Sequence, residues 1–384
     1  MVGRAALFPL RHWRLSRSFA LPLKKLLVKI LFITGSSEPG KDGVGDYTRS
    51  LGDECRRLGH ETFLMCLNDS WIDRPAREDR SLRLPSTMPW TSRIKSGRTF
   101  VAENPHDLVS LQYVPYSFHP AGLSFALPKI VQAIIGRIPA HLMLHELWIG
   151  SHIGAPFKVE VFGFCQRKII KSLVTGMACR VIHTSNAVYA RLLSRHGIEA
   201  KILPLFGSVP VIPNAVVAPR NDNALRLGLF GSIHPEWSPE ELFARLQALG
   251  KPIQVGHIGR IGPGESLWNE VVQRYAAEIR FQRFGEQSLE NISQFFLSLD
   301  FGVATTPLSL IGKSSTVAAM LDHGLPVIVS RNDIHFRGSA EENLASERLI
   351  RVDESFIDRV KTVKRLNPEP SLPKIVRQFL NDLV

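Results

Sequence analysis

Short apolar runs alternate with amphipathic segments along most of the chain, and the alternation is interrupted once and then restarts. In the first stretch Lys29 to Thr34, Glu61 to Leu67, Leu108 to Gln112, His141 to His145 and Arg180 to Thr184 read as strands. Val44 to Leu58, Leu123 to Gly136, Phe157 to Thr175 and Ala187 to His196 lie between them with helical spacing. Tyr47, Leu51, Cys55 and Leu58 fall on one face of the first helix, which Gly59 closes. Strands separated by helices need crossover connections, and these make a mostly parallel sheet. Polar residues Pro219 to Asn223 form the break. After it Leu225 to Phe230, Pro252 to Ile258, Arg280 to Phe284, Phe301 to Thr305 and Pro326 to Ser330 read as strands, with helices at Ser238 to Leu249, Leu289 to Leu299 and Ser314 to Asp322. Ser70 to Arg98 is polar and Pro-rich and reads as a long loop. The residues from about 335 onward read as helical with proline interruptions. A chain of 384 residues exceeds one ordinary core. The expected fold is α/β, with two doubly wound Rossmann-like domains facing across a cleft: 29–218 and 219–384, behind a basic leader, 1–28.

The chain carries a formal net charge of +12. Arg4, Arg11, Arg14, Arg17, Lys24, Lys25 and Lys29 precede the first acid, Glu38. Such a leader fits an anionic membrane surface, or it is a dispensable start upstream of the fold. Nucleic acid is not expected as a partner. Lys24, Lys25 and Lys29 interrupt the leader's apolar stretch, unlike a secretory signal, and no run has the length of a membrane span. The cysteines Cys55, Cys66, Cys165 and Cys179 have no metal-ligand spacing and no disulfide-scaffold pattern. A reducing cytoplasm is expected, with a peripheral position at the inner membrane surface if the leader meets lipid.

In open parallel sheets ligands sit beyond the carboxyl ends of the strands. After the first strand, Gly40, Gly43 and Gly45 make a loop that enters a helix, without the dinucleotide fingerprint spacing. Asp46 at that helix start is either an N-cap or a carboxylate facing a ligand. His145 and Glu146 end another strand, where a His and a Glu could act as general base and orienting group, or merely pack. In the second half Gly231 and Ser232, then Gly256 to Gly264, then Phe284 to Ser288 follow successive strands. Gly312-Lys313-Ser314 ends like a phosphate-binding Walker loop, but Pro307 stands where that loop needs its first glycine, and proline donates no N–H. What remains is a helix start with one Lys beside it, a suitable holder for a diphosphate. Lys313, Ser314, Ser315, Gly231 and Ser232 are the candidate diphosphate cradle.

The opening Lys29 to Glu61 resembles the N-terminal domain of GT-B glycosyltransferases related to glycosyltransferase family four. Val181 to Leu193, Val211 to Val216, Phe284 to Thr306 and Ala318 to Ser330 resemble further segments of those enzymes. The resemblance implies a GT-B fold and a sugar transferred, without a metal or other cofactor, from a nucleotide-diphosphate donor to an acceptor. The sequence does not name the acceptor: a polysaccharide, a lipid-linked molecule and a small molecule all stay open. No Asp-x-Asp motif is present. It also implies two glutamates separated by seven residues before Gly324, but Ile311 and Ala319 occupy those positions. Lys313, Ser314, Ser315, Gly231 and Ser232 would then hold the leaving diphosphate. Glu286 would line the nucleoside pocket, and Gly43 and Gly45 would let the first-domain loop close over the sugar. His145, Glu146 and Asp46 are the candidate catalytic residues. His145 is favoured as base, because a neutral imidazole serves near pH 7 without a large pKa shift. A sugar-nucleotide epimerase, or a degenerate protein that binds without chemistry, would use the same scaffold.

Overall fold

A computed structural model describes residues 27–212, 222–331, 333–337 and 347–383. The leader up to residue 26 and the expected boundary near Pro219 lie outside the described residues. The first part contains β1 (Lys29–Thr34), α1 (Gly43–Arg57), β2 (Glu61–Asp69), β3 (Ala76–Glu78), β4 (Ser81–Pro85), α2 (Trp90–Glu103), β5 (Leu108–Tyr113), α3 (Leu127–Ile135), β6 (Ala140–Leu144), α4 (Phe157–Gly176), β7 (Cys179–Thr184), α5 (Ala187–Ser194) and β8 (Lys201–Ile202). The second contains β9 (Leu225–Phe230), α6 (Glu240–Gln247), β10 (Ile253–Ile258), α7 (Glu265–Tyr275), β11 (Ile279–Gly285), α8 (Leu289–Ser298), β12 (Phe301–Ala304), α9 (Ser315–Asp322), β13 (Val327–Val329), β14 (Leu349–Arg351), α10 (Phe356–Thr362) and α11 (Leu372–Leu383).

Among the described residues these strands make two sheets, ordered β3-β4-β2-β1-β5-β6-β7-β8 and β11-β10-β9-β12-β13-β14. Every pairing is parallel except β3 with β4. Parallel sheets are covered on both faces, which is why β1, β5 and β6 read as nearly unbroken apolar runs and are buried along almost their whole length. The fold class is as expected: two doubly wound Rossmann-like units. Each sheet reverses its winding beside its first strand, between β1 and β5 and between β9 and β12. In this architecture that reversal opens a crevice for ligands.

Two stretches differ from expectation. The polar segment 70–98 is not a loop: it supplies β3, β4 and the start of α2. Ser81–Pro85 alternates, with Leu82 and Leu84 buried. Arg83 between them is held at 2.7 Å by both Asp69 and Glu38. Arg93 is buried in α2 because its guanidinium donates to the carbonyls of Met88, Leu67 and Ser86. Here the charged residues are structural, so polarity misleads as a loop signal. The second difference is α11, expected with the second domain. It crosses back and buries Ile375, Val376 and Phe379 in a cluster with Ile30, Phe32, Leu51 and Met143 of the first sheet. Its apolar stripe is legible at helical spacing, but the partner of that stripe is not.

Candidate active site

The two carboxyl edges meet where β6 and β7 end opposite the loop that follows β12. Gly312 lies against Asn186 and Ser185: a Cβ on it would sit 3.0 Å from the Asn186 Cβ and from the Ser185 carbonyl oxygen. Next to it the Lys313 Nζ reaches Glu146 at 3.4 Å across the two units. Burial works against the Lys313 charge, but the Tyr189 hydroxyl and the Glu146 carboxylate outweigh it and hold its pKa above the ordinary value.

On the second unit the expected cradle residues converge. Gly231 has φ 73°, a left-handed conformation that suits glycine. Its N–H donates to the Ile258 carbonyl at 2.9 Å, and its own carbonyl accepts from His257 Nε2 at 2.8 Å. A Cβ on Gly231 would lie 3.5 Å from Thr316 in the first turn of α9, so the β9 loop and the α9 start are neighbours. The Ser232 carbonyl accepts from Thr305 Oγ1 at 3.5 Å. Ser314 is the N-cap of α9: its hydroxyl accepts from the Val317 N–H at 3.3 Å and meets Thr316 Oγ1 at 2.9 Å. Ser315 is the first helical residue. Among the named cradle residues, Ser314 therefore orders the helix end, and the N–H groups of the first turn with Lys313 carry the positive potential. Glu286 is apart. It follows the edge strand β11, is exposed, and accepts at 2.7 Å from Arg260, the main cause of its lowered pKa; Lys41 of the first-unit loop adds to that field.

In that first-unit loop the N-cap of α1 is Asp42, not Asp46. Asp42 accepts from the N–H groups of Val44 and Gly45 at 2.9 and 2.8 Å and from the Ser36 hydroxyl at 2.6 Å. Asp46 sits inside the helix, where its carboxylate takes the Gly40 N–H at 3.2 Å and pairs with Arg49. Gly45 is required for close approach: a Cβ there would lie 2.7 Å from the Ser36 carbonyl oxygen and the Ser37 Cα. Gly43 faces open space.

His145 is buried, with its ring edge on Tyr47. It ends a chain of hydrogen bonds absent from any sequence motif. Asp382 on α11 meets His183 Nε2 at 3.1 Å, and His183 Nδ1 meets His141 Nε2 at 2.9 Å. His141 Nδ1 meets Ser110 Oγ at 2.8 Å, and Ser110 Oγ accepts from Gln112 Nε2 at 2.7 Å. Gln112 Oε1 meets His145 Nε2 at 2.9 Å. An ionised carboxylate only accepts, so donation runs one way: His183, His141 and His145 each carry the proton on Nε2, and His145 keeps Nδ1 as an acceptor. Burial pushes the His145 pKa down to about 3. The expectation of an imidazole poised near pH 7 without a large shift is thus corrected: desolvation makes this ring a neutral hydrogen-bond acceptor and a weak base.

The positions where the resemblance implies glutamates are closed. Ile311 and Ala319 are buried in one apolar cluster, and Gly207 abuts Ala319. Tyr189, Asn186, Gln112 and Thr316 join the site without having been singled out in the sequence. Asn186 alone left a readable signal, as an N-cap residue ahead of an apolar run. Among the described residues no group of three or more His, Cys, Asp or Glu is placed to hold a metal, and no helix is long and apolar enough to cross a membrane.

No protein-family model matches the chain, and no curated protein matches it by sequence. Solved structures do match in fold. HepE of Anabaena, in complex with UDP-glucose, is 14% identical with a TM-score of 0.56 over 93% of this chain and 99% of that one. The apo form of the lipopolysaccharide outer core galactosyltransferase WaaB is 13% identical, with a TM-score of 0.54 over 92% and 99%. A candidate UDP-N-acetylglucosamine 2-epimerase from Listeria monocytogenes is 12% identical, with a TM-score of 0.53 over 92% and 95%. The chain is thus similar to the GT-B enzymes along nearly its whole length, and what it shares with them is the arrangement of two Rossmann-like units.

Proposed function

We propose that the protein is a glycosyltransferase that moves a sugar from a nucleoside-diphosphate donor to an acceptor hydroxyl. One observation carries this reading. At the winding reversal of the second sheet, the left-handed turn at Gly231, the capped start of α9 and the Lys313 ammonium converge, and Lys313 meets Glu146, the neighbour of His145, across the cleft. Glycosyl transfer breaks the bond from the anomeric carbon to the diphosphate oxygen and forms one to the acceptor oxygen, whose proton must leave. The α9 N–H groups and Lys313 stabilise the charge growing on the diphosphate, as a metal would elsewhere. Glu146, released when the diphosphate takes over Lys313, receives the acceptor proton. His145 orients a hydroxyl through Nδ1. The fold shared with glycosyltransferases supports the reading, and the reaction drawn here uses no carboxylate at positions 311 and 319, which are the buried Ile311 and Ala319.

The test is a thermal-shift panel of UDP, GDP, ADP, TDP and their common sugars, followed by product analysis. A bound ligand at a hundred times its dissociation constant adds roughly 2.7 kcal/mol of stability. Transfer releases free nucleoside diphosphate. An altered sugar on an intact nucleotide would identify an epimerase instead, and a panel with no shift would overturn the donor site.

A further inference from the structure

α4 begins just beyond the strand end that carries His145 and Glu146. Its Gly163 packs against the Ile149 carbonyl, and Gly150 packs against the backbone of Glu160. The helix buries Gln166, Ile169, Ile170 and Leu173. Along its other side Phe157, Val161 and Phe164 are 82%, 45% and 49% exposed, and Ile153 just before it is 64% exposed. The helical residues stand at i, i+4 and i+7, so they form one stripe. Lys168 and Lys171 continue the stripe, and Lys158 flanks Phe157; all three are exposed. The ammonium of Lys168 lies 5.3 Å and the guanidinium of Arg167 5.4 Å from the Phe164 ring centre. Glu160, the sole acid of the helix, is paired with Arg337 and half-buried.

Exposed aromatic and aliphatic side chains in a row beside cations, with no acid free among them, ask for an occupant that is apolar underneath and anionic on top. The basic leader does not meet that requirement, since it would bring cations to cations, and a second copy of the same face fails for the same reason. The exposed side of a helix also offers protruding side chains rather than a groove to receive a partner's. A bilayer interface with anionic headgroups satisfies every feature: apolar side chains enter the acyl boundary and lysines meet the phosphates. We infer that α4 docks the protein on an anionic membrane surface, and that the acceptor served by the adjoining cleft is borne by lipid. The second clause rests on the transferase reading; the docking does not.

Sedimentation of the full chain with phosphatidylcholine vesicles, with and without phosphatidylglycerol, tests it. The parent should partition onto the anionic vesicles and lose most of that binding in high salt. Phe157→Glu with Val161→Glu should reduce partitioning at least about tenfold. Lys168→Glu with Lys171→Glu should reduce it comparably. These residues are exposed, so the melting temperature and any UDP-induced shift should match the parent's. If the parent ignores the vesicles, or if both variants bind as it does, the α4 face is not the dock, whatever nucleotide binding shows. If the vesicles bind as expected while no nucleotide shifts the melt, docking stands and the transferase reading falls.

Discussion

At the scale of single residues, Lys313 pairs with Glu146 across the cleft, and His145, a neutral imidazole, precedes Glu146 in the sequence and packs on Tyr47. Lys313→Ala should weaken diphosphate binding by about 1.5 to 3 kcal/mol, the range of a charge-assisted hydrogen bond, as read by calorimetric titration with UDP. Folding should change less, because Lys313 is only half-buried. Unchanged affinity would reduce Lys313 to a structural partner of Glu146. Glu146→Gln keeps the shape and removes the proton acceptor, so it should lower kcat about a hundredfold or more with donor affinity nearly kept. His145→Ala should instead raise KM for the acceptor and also lower the melting temperature, since it strips Gln112 Oε1 of its donor. A general-base role for His145 would show in a kcat collapse equal to that of the Glu146 variant. Sequence made His145 and Glu146 visible as a pair after a strand, but not their division of labour. The division proposed here rests on the burial of His145 and on its bond to Gln112, 33 residues away.

At the scale of elements, each expected cradle residue depends on the ends of strands and helices. Ser314→Ala removes the α9 cap and should cost about 1 kcal/mol in chemical denaturation. Because the cap holds the first turn in place, UDP binding should weaken along with it; a stability loss with full affinity would separate the helix end from the donor site. The Gly-Lys-Ser string and its helix start were readable from local chemistry alone. Asp42, rather than Asp46, as the α1 cap was equally local but needed the true helix boundary. The strands and helix within 70–98 were hidden because Arg83 and Arg93 find partners only in the fold.

At the scale of the whole molecule, α11 ties the chain's end to the first sheet. Phe379 is fully buried there, its ring centre 6.1 Å from that of Phe32 and 5.2 Å from that of His141. Phe379→Ala should cost about 3 to 5 kcal/mol, and hydrogen exchange should rise first in β1, β6 and β7. Protection lost first in the second sheet would contradict this docking. The histidine chain beneath α11 also sets a pH dependence. His141, His145 and His183 all have pKa values lowered by burial, His145 to about 3. Below the ordinary histidine value of about 6.5 the unfolded chain binds protons that the folded chain refuses, so stability holds above pH 7 and falls as pH drops. His145 alone should account for about 2 kcal/mol of loss at pH 5. A melting temperature that stays flat from pH 7 to 5 would mean that these rings are protonated in the fold.

From periodicity and composition the sequence by itself determined the α/β class, the parallel strands and the strand-end loops to inspect, because these follow from the local spacing of apolar residues and from the crossover that joins successive strands. Only the tertiary structure decided which strands adjoin, that Lys313 reaches Glu146, that Asp382 reaches through two histidines toward His145, and that α11 belongs against the first sheet. Those pairings join residues as far apart in the sequence as Phe32 and Phe379. They exist because two sheets bury their faces and bring distant edges together, and no local pattern records which edges will meet.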